Sequence, residues 1–336
     1  MNVFRTVAIL ALALATALPQ PALSKTIKIA TVAPEDSPWY EVLRNMADAW
    51  EEASGGAIET RIYAGGIAGD EFDLVRKMRV GQIDVAMLSI GSLPDIAWQI
   101  SVLHMPLLFR SNDELDYVME RIGPTFDALL QKQGFRVLAW GDAGWLHLFT
   151  TRPVTTPADL KTLRLFQWGA NSPYLDAWKN AGYNPVPVPL PELHTALTTG
   201  MIQAILAPPI AALSFQWFGI ANHMTSLPWA PMVGAIVISE RSWRKIPKAK
   251  RARFLEIAAA ASVEARDRTR AVEPQAIAAM KANGLEVHEV PPEAMAEWRA
   301  AVDSGFSPLI GTAVPADLLA RVRRMIAEYR AGATAK

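Results

Sequence analysis

Apolar and polar positions follow two different periods along the chain, and these periods predict strands and helices in alternation. Residues 58–63 alternate apolar and polar side chains, which is typical of a half-buried strand. From Val42 to Trp50, apolar residues instead recur at spacings of three and four, which predicts an amphipathic helix that begins at Ser37 and Pro38. A largely apolar run at 83–89 suits a strand buried in a parallel sheet.

The same two patterns extend over the rest of the chain. Further strands are predicted at 25–32, 135–140, 145–150, 163–168, 186–188, 202–206, 233–239 and 285–290. Further helices are predicted at 70–80, 112–134, 172–181, 190–200, 248–282, 292–302 and 316–329. The alternation at the start of the chain implies right-handed crossovers, a parallel sheet and an α/β fold.

The first 24 residues carry the features of a secretory signal peptide. Arg5 is their only charged residue, an apolar run follows at 7–18, and Ala22 and Ser24 occupy the −3 and −1 positions of a cleavage site. A retained membrane helix would need about 18–20 apolar residues, and this run is shorter. We therefore expect cleavage before Lys25 and export to the periplasm.

The composition excludes several classes of function. The chain has 336 residues, with 33 Lys and Arg against 33 Asp and Glu, so it lacks the basic excess of a nucleic-acid-binding protein. It has no cysteine, which excludes disulfides, thiolate metal ligands, a thiol nucleophile and a lipid-modified N-terminal cysteine.

Candidate catalytic and metal-binding groups are sparse. None of the five histidines lies two, three or four residues from another, so a local metal-ligand motif is missing. His147 and His194 could meet only through the fold. An enzyme would need His147, Asp142 and a nucleophile to converge, and no motif indicates that they do. We therefore expect no catalytic residue, no metal ion and no cofactor.

Tryptophan is the most informative residue type in the composition. The chain has eleven, and Trp140, Trp145 and Trp168 lie near the ends of predicted strands. Ligands of open α/β sheets bind beyond the carboxyl ends of the strands. The positions of these residues therefore predict a cleft with an aromatic lining.

Five stretches in the first two thirds of the chain form a specific series. They are KIATVAPEDSPWYEV at 28–42, ASGGAIETRIYAGGIAGDEFDLVRKMRVGQIDVAMLS at 53–89, HMPLLFRS at 104–111, RPVTTPADLKTLRL at 152–165 and PLPELHTALTTGMIQAI at 189–205. In this order they resemble the extracytoplasmic solute-binding subunits of tripartite ATP-independent periplasmic (TRAP) transporters.

The resemblance implies a two-lobed α/β fold of the periplasmic solute-binding type, with mixed sheets and a long helix, here within 248–282, that crosses both lobes. Residues 25–150 and 230–262 would form the first lobe, and 151–229 and 263–330 the second. The lobes would close on a small organic ligand, and the loaded protein, which can act as a monomer, would dock on a membrane permease. A sensor that presents its ligand to a membrane receptor is an alternative from a different class.

The chain departs from this family's pattern at three polar positions. The family usually has an Arg that pairs with the ligand carboxylate on the strand after the DLK motif, where this chain has Phe166. Leu146 and Ala207 stand where the family has a second basic residue and an Asn, whereas Glu192 is retained. Arg164 lies two residues before Phe166 and therefore on the same face of the strand.

These departures predict an uncharged or largely apolar ligand, aromatic or alicyclic in character. Removal of one member of a buried ion pair costs about 3–5 kcal/mol, so a carboxylate would bind poorly. The residues expected to contact the ligand are Trp39, Ser89, Trp145, Leu146, Phe166, Trp168, Glu192, Ala207 and Trp229.

Two other ligand classes stay open. A carboxylate could still bind if Arg164 or Arg152 reached the cleft. An amine or quaternary cation could bind over tryptophan faces, with Glu35, Asp36 or Glu192 as its counter-charge.

Overall fold

The computed structural model describes residues 25–169 and 173–334. The predicted signal peptide at 1–24 lies outside these residues, as does Ser172, the first residue of one predicted helix. None of the helices in the described residues unites the length and the apolar character that a bilayer crossing demands.

Ten strands in this part of the chain form a mixed sheet. They are β1 Lys25–Ala30, β2 Ile58–Tyr63, β3 Val85–Ser89, β4 Phe135–Thr150, β5 Arg164–Gln167, β6 Asn184–Pro187, β7 Ala204–Ala207, β8 His223–Thr225, β9 Ala230–Ser239 and β10 Glu286–His288. The order across the sheet is β2-β1-β3-β9-β4-β7-β5-β6, and β8 pairs with β4 and β10. As predicted, β1 is parallel to both β2 and β3.

Helices connect most of these strands. They are α1 Pro38–Ser54, α2 Glu71–Val80, α3 Leu93–Ile96, α4 Asn112–Lys132, α5 Pro157–Lys161, α6 Pro173–Asn180, α7 Leu193–Thr198, α8 Pro209–Ser214, α9 Glu240–Trp243, α10 Arg251–Ala282, α11 Pro292–Phe306 and α12 Ala316–Thr334. The Ser37 hydroxyl caps α1 by accepting from the Tyr40 N–H, with Pro38 in the first turn, as the sequence predicts.

Strand β4 joins the two halves of the sheet. Its pairing with β9 runs from Phe135 to Leu146, and its pairing with β7 runs from His147 to Thr150. We call β2, β1, β3, β9 and the first part of β4 the sheet of the first lobe. The last part of β4 with β7, β5, β6, β8 and β10 forms the sheet of the second lobe.

The sequence predicts two strands, 135–140 and 145–150, where the structure has the single strand β4. The register of β4 against β9 shifts between Asp142 and Trp145, and Gly144 there has a φ of 93°. Only glycine adopts such a φ readily. The polar stretch at this point is therefore a bulge within one strand rather than a turn between two.

Helix α10 spans both lobes, as the resemblance implies. It packs against α1 and β4 in the first lobe and against α8 in the second. Its α-helical part begins at Arg251, after a single 3₁₀ turn at Lys248–Lys250, so it starts slightly later than predicted.

The last helix packs against a helix from the first half of the chain. Helix α12, which the resemblance would place in the second lobe, contacts α4, and α4 in turn contacts β4. The Arg330 guanidinium forms two hydrogen bonds with the Glu114 carboxylate, at 2.7 and 2.9 Å. Because Glu114 is buried, this paired contact ties the last helix to α4.

The contact between α1 and α10 gives a test of the first-lobe core. Trp50 is fully buried, its ring stacks on Phe254 at a centroid distance of 4.8 Å, and its indole N–H donates to the Phe254 carbonyl at 3.1 Å. We expect Trp50→Ala to lower the free energy of unfolding by about 3–5 kcal/mol, because it opens a cavity and removes the indole hydrogen bond. Urea denaturation measures the loss.

The matched control is Trp98→Ala, since Trp98 is 45% exposed. A change below about 0.5 kcal/mol is expected there. Equal losses in the two variants would contradict the assignment of Trp50 to the core.

Candidate functional site

A cavity of about 170 Å³ lies between the lobes. It stands at the carboxyl ends of two pairs of parallel strands, β1 with β3 and β5 with β7. Residues 31–33 follow β1, Ser89 ends β3, Trp168 follows β5 and Ala207 ends β7. This is the position at which open α/β sheets bind ligands. We call it the inner cavity.

The inner cavity adjoins a wider space of about 660 Å³, which we call the outer cleft. The two share the side chains of Phe166, Trp168, Leu206 and Met232. Both spaces therefore meet at the end of β5, where Phe166 and Trp168 stand.

Most of the predicted ligand-contacting residues lie on these walls. Trp39, Ser89, Phe166, Trp168 and Ala207 line the inner cavity. Leu146 and Trp229 line the outer cleft, together with Phe166 and Trp168. The fold thus brings together residues that are far apart in sequence.

The structure places Trp145 and Glu192 elsewhere. Trp145 is 8% exposed, and its indole N–H donates to the Asn112 side chain at 2.8 Å, because the bulge in β4 turns it toward α4. Glu192 lies in an exposed 3₁₀ turn before α7. Neither residue is among those that line the inner cavity or the outer cleft.

Glycine makes room for Trp168. A Cβ at Gly91 would approach the Trp168 ring to 2.8 Å, and a Cβ at Gly169 would approach the Phe72 ring to 2.9 Å. The edge of Trp168 also packs on Phe72, with ring centroids 6.0 Å apart. The Trp168 ring therefore lies between Gly91 and Phe72. A side chain larger than that of glycine at position 91 or 169 would disturb this packing, so these two glycines are the feature of the sequence that could have indicated it.

Two tryptophan N–H groups in the inner cavity are unpaired. The Nε1 atoms of Trp39 and Trp168 are buried and have no hydrogen-bond partner among the described residues. An indole N–H can only donate, and a buried unpaired donor costs about 1–3 kcal/mol.

Glu71 is a buried acid that the sequence analysis did not place in the site. Its Oε2 accepts from the Ser89 N–H at 2.9 Å, the Ser89 hydroxyl at 2.8 Å and the Ser92 hydroxyl at 2.6 Å. Burial raises the pKa of Glu71 to about 7, although these hydrogen bonds oppose the shift. Glu71 is thus partly protonated near neutral pH.

Asp142, the other acid on the inner cavity wall, is paired. Arg270 of α10 donates to Asp142 at 2.8 Å and forms a two-pronged contact with Asp116 of α4 at 2.7 and 2.8 Å. The Arg270 hydrogen bonds lower the pKa of Asp116. Asp142 is therefore ion-paired with Arg270 at the bulge of β4, although it shares that guanidinium with Asp116.

Within 25–169 and 173–334, no Lys, Arg or His lines the inner cavity. Arg164 is exposed and donates through Nε to the carbonyls of Gly200 at 3.1 Å and Met201 at 3.0 Å. Arg152 is exposed and donates to the Thr162 carbonyl at 3.2 Å. Neither arginine lines the outer cleft.

The residues considered for an enzyme do not form a catalytic group in the described part of the chain. His147 lies 3.1 Å from the Thr225 carbonyl through Nδ1, and burial lowers its pKa. It lines neither the inner cavity nor the outer cleft, whereas Asp142 does line the inner cavity. His194 is exposed on α7 and does not meet His147.

Comparison with known proteins agrees with this geometry. The family model described as "Bacterial extracellular solute-binding protein, family 7" matches residues 29–307. A solute-binding protein of Chromohalobacter salexigens is 26% identical over 235 residues, which cover 69% of this chain and 70% of that protein.

Solved structures share the fold. A TRAP periplasmic solute-binding protein from a Polaromonas species, bound to D-erythronate, superposes with a TM-score of 0.82 at 24% identity, covering 89% of this chain and 98% of that chain. One from Pseudomonas putida, with bound D-glucuronate, gives a TM-score of 0.79 at 25% identity, covering 89% and 96%.

These findings confirm the two-lobed fold and the resemblance to TRAP solute-binding subunits, which bind small organic ligands, work with membrane permease subunits and are not enzymes. The chain therefore belongs to family 7 of the bacterial extracellular solute-binding proteins, the solute-binding proteins of TRAP transporters.

Proposed function

We propose that this protein binds an uncharged, largely apolar small molecule that carries hydrogen-bond acceptors, and delivers it to its permease. The observation that carries the proposal is the wall of the inner cavity. This wall is mostly apolar and aromatic and, in the described part of the chain, has no basic side chain. It includes Trp39 and Trp168, whose buried indole N–H groups have no partner among the described residues.

The size of the inner cavity supports a compact ligand. Its volume of about 170 Å³ is close to that of an engineered cavity of about 150 Å³ that binds benzene. One aromatic or alicyclic ring with a few substituents would fill it. The outer cleft would accommodate any longer substituent.

The lack of a basic group argues against a carboxylate in the inner cavity. A buried carboxylate needs a paired cation or several hydrogen-bond donors, and Arg164 and Arg152 are engaged with backbone carbonyls outside the cavity. Phe166, at the position where the resemblance places the family's arginine, offers only an apolar ring. Loss of such an arginine weakens carboxylate binding by about 3–5 kcal/mol, or roughly 100-fold or more.

The acids of the inner cavity do not favour a cation. Arg270 is ion-paired with Asp142, and Glu71 is partly protonated and bonded to two serines. Glu35, Asp36 and Glu192 are exposed and lie outside the cavity wall. An amine would therefore find no free carboxylate to balance its charge.

A carboxylate ligand is the second candidate, because both solved relatives described above contain one. Within the inner cavity, a carboxylate would have to use the indole donors of Trp39 and Trp168 without a basic partner, since Arg76 lines only the outer cleft. Charge-neutral acceptors such as carbonyl, ether or hydroxyl oxygens would use the same donors without that desolvation penalty. We therefore place the uncharged ligand first.

Phe166→Arg tests the choice between the two candidates. We expect this variant to bind the native ligand at least about tenfold more weakly and to gain carboxylate affinity, because it introduces a guanidinium at the end of β5. Thermal-shift screening with uncharged aromatic, amine and carboxylate panels, followed by calorimetry, gives the comparison. Met201→Arg adds the same charge at an exposed site on the same lobe and is expected to change nothing.

Strong stabilisation of the unaltered protein by succinate or D-glucuronate would contradict the uncharged-ligand proposal. Unchanged binding in Phe166→Ala would show that Phe166 does not contact the ligand.

Trp168→Phe tests the proposed hydrogen bond to the ligand. This variant keeps an aromatic ring beside Phe72 but removes the N–H, so we expect about 2- to 12-fold weaker binding, corresponding to about 0.5–1.5 kcal/mol. Trp98→Phe is the control, since Trp98 borders only the outer cleft. Calorimetry with the best ligand from the screen measures both, and equal affinities in the two variants would remove Trp168 from the site.

Glu71→Gln tests the charge state of the inner cavity. The pKa of Glu71 in the folded protein, about 7, lies above its ordinary value of 4.5. The folded protein therefore holds the proton over a wider range, and the free energy of unfolding should fall as the pH rises from about 4.5 to about 7. The full difference corresponds to roughly 3 kcal/mol.

Glu71→Gln should lack this part of the pH dependence, whereas the exposed substitution Glu52→Gln should retain it. Urea denaturation at several pH values between 4 and 8 makes the comparison. Parallel pH profiles for the unaltered protein and Glu71→Gln would contradict the assignment.

A further inference from the structure

A group of three side chains on the second lobe lies outside the ligand-binding region. His223 is on β8, and Glu286 and His288 are on β10. None of the three is among the residues that line the inner cavity or the outer cleft. We propose that His223, Glu286 and His288 form a binding site for a divalent transition-metal ion of the zinc type.

Strand pairing brings these residues together on one face. Strands β8 and β10 are parallel, with Glu286 opposite His223 and His288 opposite Thr225. Alternate residues of a strand point to the same face of a sheet, so Glu286 and His288 share the face of their strand. Their chelating atoms lie within 4.8 Å of one another.

The distances fit a metal ion. His223 Nδ1 lies 2.9 Å from His288 Nε2 and 3.5 Å from Glu286 Oε2, and His288 Nε2 lies 4.0 Å from Glu286 Oε2. The point equidistant from three atoms at these separations, the centre of the circle through them, is about 2.1 Å from each. Zinc bonds to imidazole nitrogen and carboxylate oxygen are about 2.0–2.2 Å long.

The donor set selects the class of ion. Two imidazole nitrogens and one carboxylate oxygen suit zinc, copper or nickel, whereas magnesium and calcium prefer oxygen ligands alone. The side chains of His223 and His288 are 12% and 21% exposed, and that of Glu286 is 63% exposed. The two histidines are therefore mostly buried, and the side of the site at Glu286 faces solvent, from which water can supply a fourth ligand.

Backbone hydrogen bonds hold the strands that carry the ligands. The Glu286 N–H donates to the Asn222 carbonyl at 2.8 Å, and the Ser226 N–H donates to the His288 carbonyl at 2.9 Å. The Thr150 hydroxyl donates to the His223 carbonyl at 3.3 Å. The ligands thus stand on a paired sheet rather than on a loop, which favours a fixed geometry.

The hydrogen bond between the two imidazoles gives the same nitrogens a second possible role. Within 2.9 Å, one ring nitrogen must carry the proton that the other accepts. When both nitrogens bind a metal ion, the proton between them must move to the other nitrogen of its own ring, so that each neutral imidazole offers a lone pair to the ion. The ion would strengthen the three-residue pairing of β10 with β8. It would thereby hold the segment that follows α10 against the sheet of the second lobe.

Zinc titration of tag-free protein spanning Lys25 to Lys336 tests the site. We expect one saturable Zn²⁺ site by calorimetry and a higher midpoint of thermal unfolding when Zn²⁺ is present. His288→Ala and His223→Ala should each weaken zinc binding by at least about 100-fold, more than the 10- to 100-fold loss typical of outer-shell changes. Co²⁺ substitution should give the visible absorption of a nitrogen–oxygen site in the unaltered protein only.

Two further variants make the result decisive. Glu286→Gln changes one exposed ligand without altering the fold and should weaken binding by about tenfold or more. His194→Ala removes an exposed histidine elsewhere on the same lobe and should bind zinc unchanged. Absence of one-to-one binding, or equal zinc affinity in His223→Ala, His288→Ala and the unaltered protein, would overturn the proposal.

Discussion

The structure depends on the way β4 divides its hydrogen bonds between two sheets. Its first part pairs with β9 and its last part with β7 and β8. The change of partners follows the bulge between Asp142 and Trp145, where Gly144 has a positive φ and where a Cβ would overlap the Glu273 carboxylate. Because β4 belongs to both lobes, the lobes are joined along this strand. The inner cavity is the space between the lobes beside it.

The ion pairs around the bulge reinforce this constraint. Arg270 from α10 reaches Asp142 on β4 and Asp116 on α4, so three elements meet where the strand changes partners. Asp142 also borders the inner cavity. The position of the long helix and the wall of the ligand site are therefore coupled through one guanidinium, which holds two carboxylates that would otherwise repel each other.

The hydrophobic periods predict the regular parts of the fold because those parts repeat over many residues. The parallel arrangement of β1, β2 and β3 and the long helix α10 are examples. The two-strand prediction for 135–150 fails because Gly141 to Gly144 carry the composition of a turn, although tertiary pairing with β9 continues through them. Strand β8, at three residues, is too short for any period to show.

Site residues could be predicted from the sequence where their place at a strand end or in a family motif decides what surrounds the side chain. They were missed where a contact with a residue distant in the sequence decides it. Trp168 follows from its place at the end of β5, whereas Phe166 and Ala207 follow from the family resemblance. The Trp145 side chain instead donates to Asn112, which lies 33 residues earlier in the chain. Glu71 accepts from the hydroxyls of Ser89 and Ser92, which lie at and just after the end of β3. His223 and His288 are 65 residues apart, so only the pairing of β8 with β10 reveals them as neighbours.

The unpaired indoles link recognition to closure of the lobes. In the structure, the indole nitrogens of Trp39 and Trp168 are buried without a partner among the described residues. If the lobes open, as the resemblance implies, we infer that water would satisfy both N–H groups, and that closure without a ligand would cost about 1–3 kcal/mol for each unpaired donor. A ligand acceptor removes that destabilisation only in the closed form, where Trp39 of the first lobe and Trp168 of the second face the same cavity. Such a difference in affinity between open and closed states shifts the population toward closure. The two donors that select an acceptor-bearing ligand would therefore also favour closure of the lobes around that ligand.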